Sequence, residues 1–258
     1  MRLMKRILSA AAVLALSASL LVGCSSGTAS SVPVSASSAA ESTVSSVEET
    51  ASSAVDENEA AAAQLLNDLT GSYQELWPVI LADEYKQTWL DDCTALVGEE
   101  NAEAAFEKLS SMVTGDVYGE DAVEAYANGG GAYFCGFTNS LAILTFDGET
   151  STISGTDKDG NVLFSHTYHY IGMEPVRGLY EFQSDDADSG EFTYFFLAPD
   201  TSAETYHIEF RYGSDAEALS QYDTGEYAYW LASGISTDCD QTMIDNCIEL
   251  FCTENLAG

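Results

Sequence analysis

The stretch that decides the fold is Thr150-Ser151-Thr152-Ile153-Ser154-Gly155-Thr156, Asp157-Lys158-Asp159-Gly160, then Asn161-Val162-Leu163-Phe164-Ser165-His166-Thr167-Tyr168-His169-Tyr170-Ile171. Two segments with a period of two flank a cluster of turn residues, which is the pattern of a β-hairpin. The turn superficially resembles the start of an EF-hand loop. The twelfth residue from Asp157 is Tyr168, where calcium ligation needs a glutamate, and strands flank the loop instead of helices. Working outward, the same alternation predicts strands over 132–138, 141–146, 178–183, 192–197, 205–212 and 226–231, besides 150–156 and 161–171. Along 205–212, Tyr206, Ile208, Phe210 and Tyr212 form an apolar stripe that belongs in a core.

Upstream the period changes. Leu65, Leu66 and Leu69 open an apolar stripe that continues over 73–81, with a kink or fresh start expected at Pro78. Further helices are predicted over 84–96 and 101–113, before the breaker cluster Asn128-Gly129-Gly130-Gly131. A last helix is predicted over 238–253, with Asp238 as its N-cap. Sequential strands joined by short turns suggest a meander closed into a small barrel. The fold class is therefore α+β, mostly β: an antiparallel β-barrel with an N-terminal helical part and a C-terminal helix.

The N-terminus carries Arg2, Lys5 and Arg6, then an apolar run from Ile7 to Val22. Positive charge before a short apolar stretch is the layout of a secretory signal. Leu21-Val22-Gly23-Cys24 resembles the lipobox of bacterial lipoproteins. That resemblance implies a cleaved signal over 1–23, lipid on Cys24, and an extracytoplasmic chain held to a membrane by its anchor. Residues 24–58 are rich in Ser, Ala, Val, Thr and Glu and hold no aromatic residue. Such a composition cannot bury enough surface to fold, and it reads as a tether. The folded domain is expected over 59–258.

The formal net charge is -34, and removing the three basic residues of the signal makes the remainder more acidic still. Phosphate backbones would repel it, so nucleic acid is excluded as a partner. Besides Cys24 there are Cys93, Cys135, Cys239, Cys247 and Cys252. An odd number leaves at least one thiol unpaired within the chain. A Cys93–Cys135 bridge would tie the helical part to the barrel, while Cys247 and Cys252 are badly spaced for a local bridge.

The order of motifs resembles the ZinT (YodA) family of extracytoplasmic zinc-binding proteins. The resemblance is carried by Gly71-Ser72-Tyr73-Gln74-Glu75-Leu76-Trp77-Pro78, Gly178-Leu179-Tyr180-Glu181-Phe182, Phe195-Phe196-Leu197-Ala198-Pro199, Tyr206-His207-Ile208 with Gly213-Ser214-Asp215, and Glu226-Tyr227-Ala228-Tyr229-Trp230. It implies a calycin-like barrel, zinc as cofactor, and association with a metal-uptake system. The family binds zinc mainly through three histidines, at the positions of Phe195, Thr205 and His207 here. Only His207 remains, and one imidazole does not make a zinc site.

Replacement ligands are few, because the chain holds only His166, His169 and His207. His166 and His169 point to opposite faces of a regular strand. Glu209 shares the face of His207. A set of His207, Glu209 and His169 supplies ligand types that zinc accepts. The competing reading is a calycin-like module without metal, binding a small apolar ligand or a protein partner. No Gly-x-Ser-x-Gly elbow, His-Glu-x-x-His or phosphate-cradling loop is present, so a non-enzymatic role is expected. Asp185-Asp186 reads as a solvated turn.

Overall fold

The computed structural model describes residues 57–198 and 207–257. The signal, Cys24 and nearly all of the tether lie outside the described residues, as do Pro199, Thr205 and Tyr206. Eight antiparallel strands form a closed barrel in sequence order, β1 (Gly71–Glu75), β2 (Ile143–Asp147), β3 (Thr152–Thr156), β4 (Val162–Met173), β5 (Tyr180–Ser184), β6 (Tyr194–Leu197), β7 (His207–Gly213) and β8 (Ala232–Ser236). Helix α1 covers 57–68. Then come α2 (Leu76–Ile80), α3 (Lys86–Val97), α4 (Ala102–Val113), α5 (Glu120–Ala127), α6 (Ala216–Leu219) and α7 (Gln241–Leu256). This is the calycin-like barrel with added helices that the motif order implies.

The opening hairpin folds as its composition requires. Thr156 pairs with Val162 across the turn. Asp157 Oδ1 accepts the backbone N–H groups of Asp159 and Asn161, each at 2.9 Å, and Gly160 takes φ 81°. Hydrogen bonds, chiefly from the Asn161 side chain, hold the Asp157 carboxyl below its ordinary value. The carboxylate is thus spent on closing the turn, in keeping with a hairpin.

Three expected elements are corrected. Residues 71–75 form the strand that closes the barrel, pairing with both β2 and β8. The helix begins only at Leu76, with Pro78 in its first turn where a missing N–H costs nothing. Residues 132–138 form no strand. They run beside the barrel and over its end: the Ser233 N–H of β8 donates to the Cys135 carbonyl at 3.0 Å, Thr138 bonds the hydroxyl of inward-facing Tyr212, and Phe134 makes isolated bridges to Thr114 and Trp230. Residues 226–231 likewise make a turn, with Tyr229 at φ 56°. The eighth strand comes later, as Ala232-Ser233-Gly234-Ile235-Ser236. Smaller differences are the unforeseen α5, and an N-cap for α7 at Asp240 in place of Asp238: Asp240 Oδ1 accepts the Met243 N–H at 3.0 Å.

Two cores result. Inside the barrel, Phe146, Phe164, Tyr168, Phe182, Phe195, Phe210 and Tyr212 interdigitate, all at most 5 % exposed. Outside it, Trp77, Trp89, Leu109, Ile244 and Ile248 of the helices pack together with Ile235, an outward-facing residue of β8. The Trp89 indole donates to the Ile80 carbonyl at 2.7 Å, fastening α3 to α2.

Candidate functional site

Strand register places every residue of the expected zinc set. Ile208 and Phe210 fill the barrel, so His207 and Glu209 face outward, both half-buried. His207 lies opposite Ile235 and Glu209 opposite Ser233. His169 also faces outward, but elsewhere. It pairs with Gln183, which pairs with Tyr194, which pairs with Gly213. His207 therefore sits about 20 Å along β7 from the level of His169 and three strands, roughly 14 Å, across the sheet. The structure brings His207 and Glu209 together and leaves His169 out.

The two β4 histidines have their own carboxylates. His166 Nδ1 is 2.8 Å from Asp186 Oδ2, and His169 Nδ1 is 2.7 Å from Asp185 Oδ1. The Asp185-Asp186 turn is thus a pair of imidazole partners, a role its sequence did not announce. The faces do divide as the spacing requires, with His166 opposite the core residue Ile153 and His169 exposed.

The family's three-histidine geometry does not fit either. Phe195 faces the barrel interior at 0 % exposure, whereas His207 faces out. Side chains on opposite faces of a barrel wall cannot chelate one ion. Two thiols feel the Glu209 charge, Cys135 and Cys247, and both are pushed up to about 12, mainly by burial, then by Glu209 for Cys135 and by Cys239 and Glu209 for Cys247. Without a metal beside them they stay protonated at neutral pH. Among the described residues, no group of three or more His, Cys, Asp and Glu stands close enough to hold an ion.

A concave feature of the surface lies at the end of β1. A cleft of about 350 Å³ is lined by Glu75, Trp77, Pro78, Leu81, Val113 and Phe134, with Thr114, Gly115, Cys135 and Gly136 completing its wall. Close backbone approach builds it. A Cβ on Gly115 would lie 2.4 Å from the Ala132 carbonyl oxygen, and one on Gly136 would lie 2.9 Å from Glu75 Oε1. Glu75 Oε1 accepts the Phe137 N–H at 2.6 Å, which fixes the carboxylate at the rim of an apolar hollow. Sequence reading missed this site, because it depends on residues 132–138 leaving the sheet.

Elsewhere, a buried cation organises the loops over the outer barrel wall. Arg211 is 0 % exposed, and its guanidinium donates to the carbonyls of Leu219, Gln221 and Tyr227. The Tyr222 ring lies between two guanidiniums, with Arg211 Cζ at 4.4 Å and Arg177 Cζ at 4.3 Å. The Tyr222 hydroxyl donates to Glu174, whose carboxylate also accepts the N–H groups of Val176 and Arg177. Burial brings the Arg211 pKa down to about 10, still charged at neutral pH.

No protein-family model matches the chain, and no curated protein matches it. Among solved structures, it is similar to the Zn(II)-bound ZinT-like domain of Streptococcus pneumoniae AdcA, at 15 % identity and a TM-score of 0.44, over 70 % of this chain and 87 % of that one. It is also similar to Zn(II)-bound AdcA from the same organism, at 13 % identity and a TM-score of 0.41, over 71 % of this chain and 34 % of that one. The chain thus spans about a third of the longer protein.

Proposed function

We propose that this chain is a lipid-anchored, extracytoplasmic, non-enzymatic binding protein whose ligand is a small apolar molecule with one polar donor, seated in the cleft beside Glu75. The cleft carries the reading. The barrel interior is filled by aromatic side chains, so the concavity lies outside it, between α2, the end of α4 and residues 134–136. Its size falls in the range of small-molecule sites, and its apolar wall with one oriented carboxylate is the usual composition of such sites. Its chemistry favours holding over turning over. Burial keeps the Cys135 thiol protonated, and Glu75 already accepts a backbone N–H.

A second reading is zinc association near a metal-uptake system. It is favoured by His207 and Glu209 sharing one face of β7. One set of titrations separates the two. The exported chain should bind 1-aminoanthracene, an apolar probe with one amine, in the micromolar range. Val113→Trp, which fills the cleft, should abolish that binding. Zinc in equilibrium dialysis should bind no better than millimolar. Tight zinc binding lost in His207→Ala, with no probe binding, would install the second reading instead.

The anchor rests on the Cys24 motif. Grown with a radiolabelled fatty acid, bacteria expressing the full chain should label it, and Cys24→Ser should abolish the label. Equal labelling of the two would remove the anchor.

A further inference from the structure

The helical layer outside the barrel has a feature that neither cleft nor metal explains. Cys93 on α3 and Cys252 on α7 are both 0 % exposed, and their Sγ atoms lie 3.9 Å apart. Around them Trp89 packs on Phe251 at 6.0 Å and on Phe106 at 5.6 Å. The same two helices repel each other at their rims. The Asp92 carboxyl is raised first by burial, then by Glu249 and Asp245 of α7. Apolar packing must therefore hold together two helices whose acidic edges oppose docking, in a chain of formal charge -34.

We propose that Cys93 and Cys252 are an oxidisable pair whose disulfide staples α3 to α7. The gap beyond an S–S bond is about 2 Å, within reach of a side-chain rotation. The crosslink would enclose β2 through β8, so it would constrain most of the folded domain in its unfolded state. Cys135 is not the partner that the sequence suggested. Its thiol instead donates to the Tyr133 carbonyl at 3.9 Å.

The oxidant is a disulfide, whether a dithiol–disulfide oxidoreductase of the cell envelope or a small molecule such as oxidised glutathione. The Cys93 thiolate attacks one sulfur of that disulfide, forming a mixed disulfide and releasing the first carrier thiol. The Cys252 thiolate then attacks Cys93 Sγ and expels the second. Two electrons and two protons leave with the reduced carrier. Burial raises both thiol pKa values and denies access. The exchange therefore belongs to folding, before α7 closes over α3.

The inference draws on the extracytoplasmic reading for its oxidant, and the experiment keeps the two apart. The reduced full chain is refolded with oxidised glutathione, alkylated under denaturing conditions and weighed. The expected product is about 2 Da lighter than the reduced chain before label is counted. Peptide mapping should link Cys93 to Cys252 and find Cys135, Cys239 and Cys247 alkylated. Its thermal midpoint should fall by several degrees on reduction. Cys93→Ala/Cys252→Ala should show no such difference. Five alkylated thiols besides Cys24, or a link elsewhere, would overturn the pair. Should the link form in vitro yet be missing from protein recovered from cells, the export reading fails and the pair stands.

Discussion

Phe195→His, which restores the first histidine of the zinc-binding pattern, is expected to destabilise the chain by about 3–5 kcal/mol and to add no zinc affinity. Phe195 is wholly buried. Its ring lies 5.4 Å from those of Tyr168 and Tyr212, 5.8 Å from Phe164 and 6.4 Å from Phe210. An imidazole there leaves part of the ring's volume empty and buries a donor and an acceptor among aromatic faces. The loss is a large share of the roughly 5–15 kcal/mol that holds a domain folded. Urea unfolding should show a lower midpoint with an unchanged slope. Dialysis should show zinc binding no tighter than in the parent chain. A variant as stable as its parent that gained stoichiometric zinc would mean that Phe195 and His207 share a face, and the register of β6 on β7 would be wrong.

What could be read in advance follows from where the side chains carry the signal. Most strands from β2 to β7 alternate apolar and polar residues strongly enough to declare themselves, as Ile208, Phe210 and Tyr212 show, while β6 is buried on both faces and shows itself as a short apolar run. The two strands at the seam do not. In β1 only Tyr73 marks an inward position strongly, and the run flows straight into the apolar Leu76-Trp77, so local pattern favoured a helix. In β8 the inward positions are Ala232, Gly234 and Ser236, which carry little periodic hydrophobicity. A Cβ at Gly234 would crowd Ile208 Cγ1 at 3.0 Å, which favours glycine there. Closure is thus made by tertiary fit, and the aromatic segment 226–231, with its stronger local signal, was displaced into a turn. The zinc set failed for a related reason. Sequence spacing gives the face of a strand residue, and it correctly divided His166 from His169. The level of one strand against another depends on loop lengths and register, and that is where His169 and His207 part.

Arg211→Met is expected to cost about 3–5 kcal/mol, comparable with removing one member of a buried ion pair. The methionine would fill much of the volume, so the loss measures polarity more than packing. Three carbonyls, those of Leu219, Gln221 and Tyr227, would lose their donor inside the protein, and each unsatisfied group costs about 1–3 kcal/mol before relaxation. Tyr222 would lose one of the two guanidiniums that flank it. Arg211→Lys should fall between the two, since an ammonium keeps the charge yet cannot reach as a planar fork to carbonyls in several directions. The damage should spread along the chain segment that Arg211 gathers, residues 219–227, and hydrogen exchange should quicken there first. The Tyr229 N–H, which donates to the Tyr222 carbonyl at 2.8 Å, is a suitable reporter. Exchange that quickened equally in β2 and β3, with the loops no worse than the sheet, would show that Arg211 acts through the barrel as a whole and not by pinning the loops to its wall.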